Sequence, residues 1–284
     1  MRIVSKKKGD RRYFYLKHSF RKGKKVFTKE KYLGSEIPKD IEHIKNNFKK
    51  EIKLDLNKKL ESIKNNFQAE WKRIPESARR KELEEIAIAF TYNTNAIEGS
   101  TITLEEVREI MHDKISPNKP IRDVKEAEAH SEVFLEMLEK EKKITNDLIL
   151  EWHKEIFGET KVDIAGKYRD YLVRVGSYLA PDWQEVKKMM DELIAFIKNN
   201  KKLNVVELSA RAHYKFEKIH PFGDGNGRIG RLLMNHILWH SGYPMLIIEY
   251  KKRKSYYRAL QRDEDIFLSY FVRRYLTVYK KRYT

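Results

Sequence analysis

Residues 220 to 231 read HPFGDGNGRIGR, and their types and spacing describe a polyphosphate site with a base beside it. His220 carries an imidazole whose ordinary pKa lies near neutrality, suited to taking a proton from a nucleophile. An apolar helix over 205–219 is expected to end at His220-Pro221, because proline drives the residue before it out of the helical region. A second helix is expected from Asn226 to residue 240, and Gly223, Gly225 and Gly227 let the connecting backbone approach a ligand closely. The unpaired N–H groups at that second helix's start, with the positive end of its dipole, form an anion site. Arg228 and Arg231 lie three apart on its first turn, so both guanidiniums can reach phosphate oxygens. Asp224 would repel phosphate unless a cation bridged them, and Mg²⁺ held by a carboxylate and phosphates does this. A P-loop fits poorly, since no Lys-Ser/Thr pair follows the glycines and no buried strand precedes them.

The same stretch matches the signature HPFx(D/E)GNGRxxR in full, and the chain resembles the Fic family over roughly residues 80–262. The likeness takes in the AGKYR segment at 165–169, an alternating hairpin after it, the signature itself, and Ser255-Tyr256-Tyr257-Arg258-Ala259-Leu260. Fic proteins are α-helical, and most transfer AMP from ATP to a hydroxyl side chain of a target protein. The resemblance implies that His220 deprotonates a target Tyr, Thr or Ser hydroxyl, which attacks the α-phosphate and expels pyrophosphate. It further implies that Asp224 holds Mg²⁺, that Gly225, Asn226 and Gly227 form the anion hole, and that Arg228 and Arg231 hold the β- and γ-phosphates. Phe222 would anchor the loop in the core. A kinase-like branch of the family carries Lys in place of Gly227, so glycine here favours AMP transfer. By the same likeness, Val173, Arg174, Val175, Gly176, Ser177 and Tyr178 form a flap that takes the target's main chain as an added strand. Tyr256 or Tyr257 would line the adenine pocket.

A second motif bears on the first. Thr94-Asn95-Ala96-Ile97-Glu98-Gly99 resembles the family's inhibitory pattern (S/T)xxxE(G/N). Thr94 and Glu98 fall on one helix face at i, i+4, and Gly99 suits the helix exit. A carboxylate on Arg231 would occupy the guanidinium meant for the γ-phosphate, leaving ATP misplaced for in-line attack. In some relatives the same glutamate orients a water that removes AMP, so de-AMPylation at this site is a second reading.

The elements that must position these groups are mostly helical. Apolar spacing predicts helices over 82–97, 122–140, 145–157, 183–199 and 265–280 beside the two already named, and Thr103-Leu104-Glu105-Glu106 has capping-box spacing. The expected fold is mainly α: a Fic-type bundle with one β-hairpin flap, a small basic N-terminal β element and a long helix. Residues 1–35 alternate like strands, with a turn expected at Arg21-Lys22-Gly23-Lys24. From Pro38, Ile41, Ile44, Phe48 and Ile52 begin a narrow apolar stripe that continues to Trp71, suited to another helix and making a homodimer plausible. The expected division is 1–75, the basic element and long helix, and 76–284, the catalytic domain with its inhibitory helix.

The 284 residues include no Cys, which excludes disulfides and thiolate metal sites and suits an intracellular protein. Neither a signal-peptide pattern nor an apolar run near membrane-spanning length is present, so a cytoplasmic location is expected. Residues 1–60 hold 20 Lys/Arg against 7 Asp/Glu of a chain whose formal net charge is +18. That excess admits a further reading from another class, a nucleic-acid-binding regulator whose Fic core only senses nucleotide.

Overall fold

A computed structural model of the chain describes residues 1–22, 25–200 and 202–284. Gly23 and Lys24, in the turn expected at 21–24, lie outside the described residues. The chain divides into two compact units, Met1–Ser62 and Ile63–Thr284.

In the first unit, β1 (Arg2–Lys8), β2 (Arg11–Lys22) and β3 (Lys25–Gly34) form an antiparallel sheet in the order β1-β2-β3. Alternation sets its two faces, because paired residues share a side. Leu16 pairs with Ile3 and Lys31 and is fully buried. Helix α1 (Ile41–Arg73) begins in this unit; there Lys31 meets Glu51 at 2.8 Å and Lys29 meets Asp55. The helix continues into the second unit, where Phe67 and Trp71 of the apolar stripe pack on Trp239 at ring-centroid distances of 6.1 and 5.4 Å.

The second unit is a helical bundle of α2 (Glu76–Ile97), α3 (Leu104–Arg108), α4 (Ile121–Glu139), α5 (Asn146–Phe157), α6 (Val186–Asn199), α7 (Val205–Ile219), α8 (Asn226–His240), α9 (Arg253–Leu260) and α10 (Glu264–Tyr283). Local chemistry sets the ends. Asn204 caps α7 by accepting from the Val206 N–H at 2.9 Å, and Thr145 caps α5 through the Leu148 N–H. The capping box at Thr103 is complete, with both the Glu106 N–H to Thr103 and the Thr103 N–H to Glu106 bonds made. The helix it opens is short, however, and passes into a π-turn over Glu109–Asp113. Helix α8 runs through the core, buried on every side from Asn226 to Leu238. Around it pack Phe134 of α4, Ile149 and Trp152 of α5, and Phe216 of α7. Its buried start is what fixes the loop before it. No helix among the described residues is long and apolar enough to cross a membrane.

Candidate active site

The loop between α7 and α8 is held from three sides. His220 ends α7 in the left-handed region (φ 51°, ψ 60°), its N–H donating to the Phe216 carbonyl at 2.9 Å. The pre-proline restriction points to extended backbone instead, but the helix-closing bond selects the left-handed conformation. The Asn226 side chain then staples the loop, accepting from the Phe222 N–H and donating to the Phe222 carbonyl, both at 2.8 Å. Phe222 is fully buried and stacks on His153, ring centroids 3.8 Å apart. His153 Nε2 reaches the Asp224 carbonyl at 3.0 Å while its Nδ1 accepts from the Gly166 N–H at 2.9 Å. Burial lowers the His153 pKa to about 4, so the ring is neutral and fills both roles with one tautomer. Gly225 (φ 79°) precedes α8, with the Phe157 ring where a Cβ would stand.

Two guanidiniums converge at the start of α8. Arg231 is 1% exposed; its Nε donates to Thr94 Oγ1 at 2.7 Å and its Nη2 to the Thr94 carbonyl at 3.1 Å and Glu98 Oε1 at 2.6 Å. The expected inhibitory residues thus lie on the expected arginine. Glu98 caps α2, and Gly99 (φ 96°) turns the chain away. A Cβ on Gly227 would overlap the Glu98 carboxylate and lie 2.9 Å from Arg231 Nη1. Arg228, 5% exposed, donates to Asn95 Oδ1 at 3.3 Å, pairs with Glu126, and lies over the Phe157 ring. Arg228 Nε and Arg231 Nη1 are buried donors with no hydrogen-bond partner among the described residues. Both donors are available to an incoming acceptor.

Asp224 stands at the edge of this cluster. Its Oδ1 accepts from the Gly225 N–H at 2.6 Å, and Oδ2 lies 3.3 Å from Lys161 Nζ. Burial works against its charge, but Lys161 and Arg228 outweigh burial and hold the carboxyl below its ordinary range. At 53% side-chain exposure it remains open to a ligand. Among the described residues no group of three or more acidic or histidine side chains is placed to hold a metal. One open carboxylate still fits Mg²⁺, which keeps waters and binds through one or two carboxylates plus substrate phosphates. His220 has its Nδ1 3.4 Å from the Glu217 carbonyl, favouring the tautomer with the lone pair on Nε2. Burial lowers its pKa, so the imidazole is neutral at pH 7.

The expected hairpin is present as β4 (Arg174–Val175) and β5 (Tyr178–Leu179), turning at Gly176 (φ 60°) and Ser177. Val175 and Leu179 are 44% and 51% exposed. Arg169 roots it to the loop between α7 and α8. Its Nε donates to the His220 carbonyl at 2.9 Å, Nη1 to Tyr171 at 2.8 Å, and Nη2 to Pro181 at 2.6 Å. Tyr178 adds a bond from its hydroxyl to the Lys218 carbonyl at 2.7 Å. The hairpin therefore flanks His220 directly.

The two candidate adenine tyrosines separate. Tyr256 is 1% exposed, its hydroxyl 2.7 Å from His213 Nε2, and it packs in the core. It does not line an open face. Tyr257 is 39% exposed and donates to the Ile97 carbonyl at 3.0 Å, beside Glu98.

Sequence reasoning missed Glu126 and Lys161. Glu126 on α4 is 5% exposed and accepts from Arg228, Lys161 and Thr160, the last at 2.9 Å. Burial opposes its charge, but the two cations outweigh burial and keep it ionised. A signal existed: Glu126 lies among Val124, Ala127 and Val133 on the buried face of α4, where a charge needs a partner.

Residues 143–238 match the model of the Fic/DOC family. The chain is 35% identical over 201 residues to protein adenylyltransferase Fic of Nematostella vectensis, covering 68% of this chain and 47% of that protein. It is 34% identical over 198 residues to protein adenylyltransferase fic-1 of Caenorhabditis elegans, covering 65% of this chain and 38% of the relative. The chain thus spans less than half the length of these two relatives. A solved structure of Fic-1 from C. elegans superposes with a TM-score of 0.69 at 27% identity, covering 83% of this chain and 72% of that one. With the signature loop, the helical frame around it and these likenesses agreeing, the chain carries a Fic domain and belongs to the Fic/DOC family.

Proposed function

We propose that this chain is a protein adenylyltransferase restrained by its own Glu98. The observation that carries the reading is the pair of buried guanidiniums, Arg228 and Arg231, meeting at the α8 N-terminus beyond the loop that begins at a neutral His220. Such a cluster suits a polyphosphate. In the proposed reaction His220 Nε2 accepts the proton of a target Ser, Thr or Tyr hydroxyl. That oxygen bonds to the α-phosphorus of ATP, the bond from the α-phosphorus to the α,β-bridging oxygen breaks, and pyrophosphate departs. Arg228 and Arg231 balance charge on the leaving group, with the N–H groups of Asn226 and Gly227 as further donors. Asp224 would hold Mg²⁺, which supplies charge neutralisation at the phosphates. The hairpin at 173–178 supports a role in docking the target as an added strand, given its exposed edge and its tie to His220.

The Glu98–Arg231 contact of 2.6 Å supports the restraint. A γ-phosphate that takes Arg231 Nη2 displaces Glu98, and a charge-assisted bond of this kind is worth about 1.5–3 kcal/mol. Replacing Glu98 with glycine then raises transfer by about 10- to 150-fold. The test is transfer of label from α-³²P-ATP with Mg²⁺ to the protein itself and to candidate targets, comparing wild type, Glu98→Gly, and Glu98→Gly with His220→Ala. Strong labelling in the single variant only supports base, brake and reaction together. No labelling in any of them, with wild type stripping AMP from a modified protein, would assign the site to removal instead.

A further inference from the structure

The outer face of the N-terminal sheet has a composition that neither a core nor a plain soluble surface requires. Strand pairing puts Tyr13, Tyr15 and Tyr32 together on the face opposite Leu16. Tyr32 lies 6.1 and 5.4 Å from the Tyr13 and Tyr15 rings and is 56% exposed. The same pairing brings Arg2, Lys6, Lys8, Arg11 and Lys17 to this face. Glu30 is the carboxylate among them, paired with Lys6 and, at 3.6 Å, with Lys17. Lys6 also stands 4.8 Å from the Tyr15 ring centre. The inner face is different in kind, with Leu16 buried and Lys29 and Lys31 tied to Asp55 and Glu51 of α1.

Open aromatic faces flanked by cations bind single strands, because each base offers a ring to stack on while phosphates pair with Lys and Arg. A duplex has its base faces closed and would engage only the cations. An acidic protein surface would likewise leave the tyrosines without a role. We propose that this sheet face binds single-stranded nucleic acid, with bases stacked on Tyr32, Tyr15 and Tyr13 and the backbone along the flanking cations. The proposal is independent of the chemistry at His220.

The test uses the full chain and a labelled oligothymidine of about 15 nucleotides, followed by fluorescence anisotropy across a salt series starting near 50 mM. Binding should weaken linearly on a logarithmic salt scale. Tyr32→Ala should weaken it about tenfold, while Tyr32→Phe, which keeps the ring, binds like wild type. An abasic strand of equal length should bind both wild type and Tyr32→Ala equally weakly. Circular dichroism of the alanine variant checks that the sheet is intact. The proposal is overturned by absence of binding near 50 mM salt, by a duplex or abasic strand binding as tightly as oligothymidine, or by a folded Tyr32→Ala that binds like wild type.

Discussion

Replacing Glu126 with glutamine keeps the side chain's shape and removes its charge, and two opposite effects should follow. Glu126 and Arg228 are each 5% exposed, and Lys161 pairs with the same carboxylate. Removing one partner of a buried pair leaves the other's charge uncompensated, at a cost of about 3–5 kcal/mol. The second unit, residues 63–284, is of a size for which each kcal/mol shifts the melting temperature by about 2–4 °C. The loss should therefore be on the order of 10 °C in a ligand-free melt. A polyphosphate would replace the missing charge. Because it no longer competes with Glu126 for Arg228, a charge-assisted contact worth about 1.5–3 kcal/mol, its affinity should rise at least tenfold. Differential scanning fluorimetry with and without pyrophosphate, and titration calorimetry of the same ligand, measure both. A variant that melts with wild type would refute the counter-charge argument. Weaker pyrophosphate binding by a folded variant would show that Glu126 organises the site rather than competing for it.

His153→Ala should cost about 3–5 kcal/mol, from two bonds left unmade and one ring stack lost, and should reduce transfer in the Glu98→Gly background; chemical denaturation and label transfer read the two. Gly227→Ala should disturb both the Glu98–Arg231 contact and the proposed phosphate site, since its methyl would meet Glu98 and Arg231, so label transfer should not reach the Glu98→Gly rate. Acid should destabilise the fold below pH 6.5. His130 and His213 are held at about 3 and His153 and His236 at about 4, by burial, against an ordinary 6.5. Their unfolded forms bind protons first, so this stability is present above 6.5 and lost as pH falls toward the folded values. Burial raises Glu217 to about 7, which acts in the opposite direction between its ordinary 4.5 and 7. Four groups against one leave a net loss on the order of 3 kcal/mol between pH 7 and 5.5, seen as a falling melting temperature.

Much of the frame was legible because local chemistry sets it. Helices α7 and α8 begin and end where the apolar spacing, Asn204 and the glycine-rich loop place them. Helix α2 starts at Glu76, six residues before the apolar pattern begins at Glu82, because the turn after Pro75 is polar and carries no periodicity. The short α3 and its π-turn were hidden for the converse reason, since a capping box announces a start but says nothing of length. At the site, the residues of the signature and the Thr94–Glu98 pair carry their spacing in the sequence. Glu126 and Lys161 do not, because α4 brings Glu126 to Arg228, and the loop after α5 brings Lys161 to Glu126, only through tertiary packing. Tyr256 and Tyr257 are adjacent and alike in type, and only the rotation of α9 puts one inside and one out.

Arg169 donates to carbonyls on both sides of the hairpin, Tyr171 and Pro181, and to His220 itself. The root of the hairpin and the backbone of His220 are thus fastened to one planar group. A strand added along the hairpin would lie at a constant offset from the imidazole, whatever its sequence. Under the proposed function such an arrangement would measure length: a target side chain would place its hydroxyl at the phosphorus only if it spanned that offset. Choice between a short Ser or Thr and a long Tyr would then be made by a ruler of backbone bonds rather than by a pocket. Lengthening the chain between Arg169 and Val173 by one residue would move the mark on that ruler without touching any group that does the chemistry.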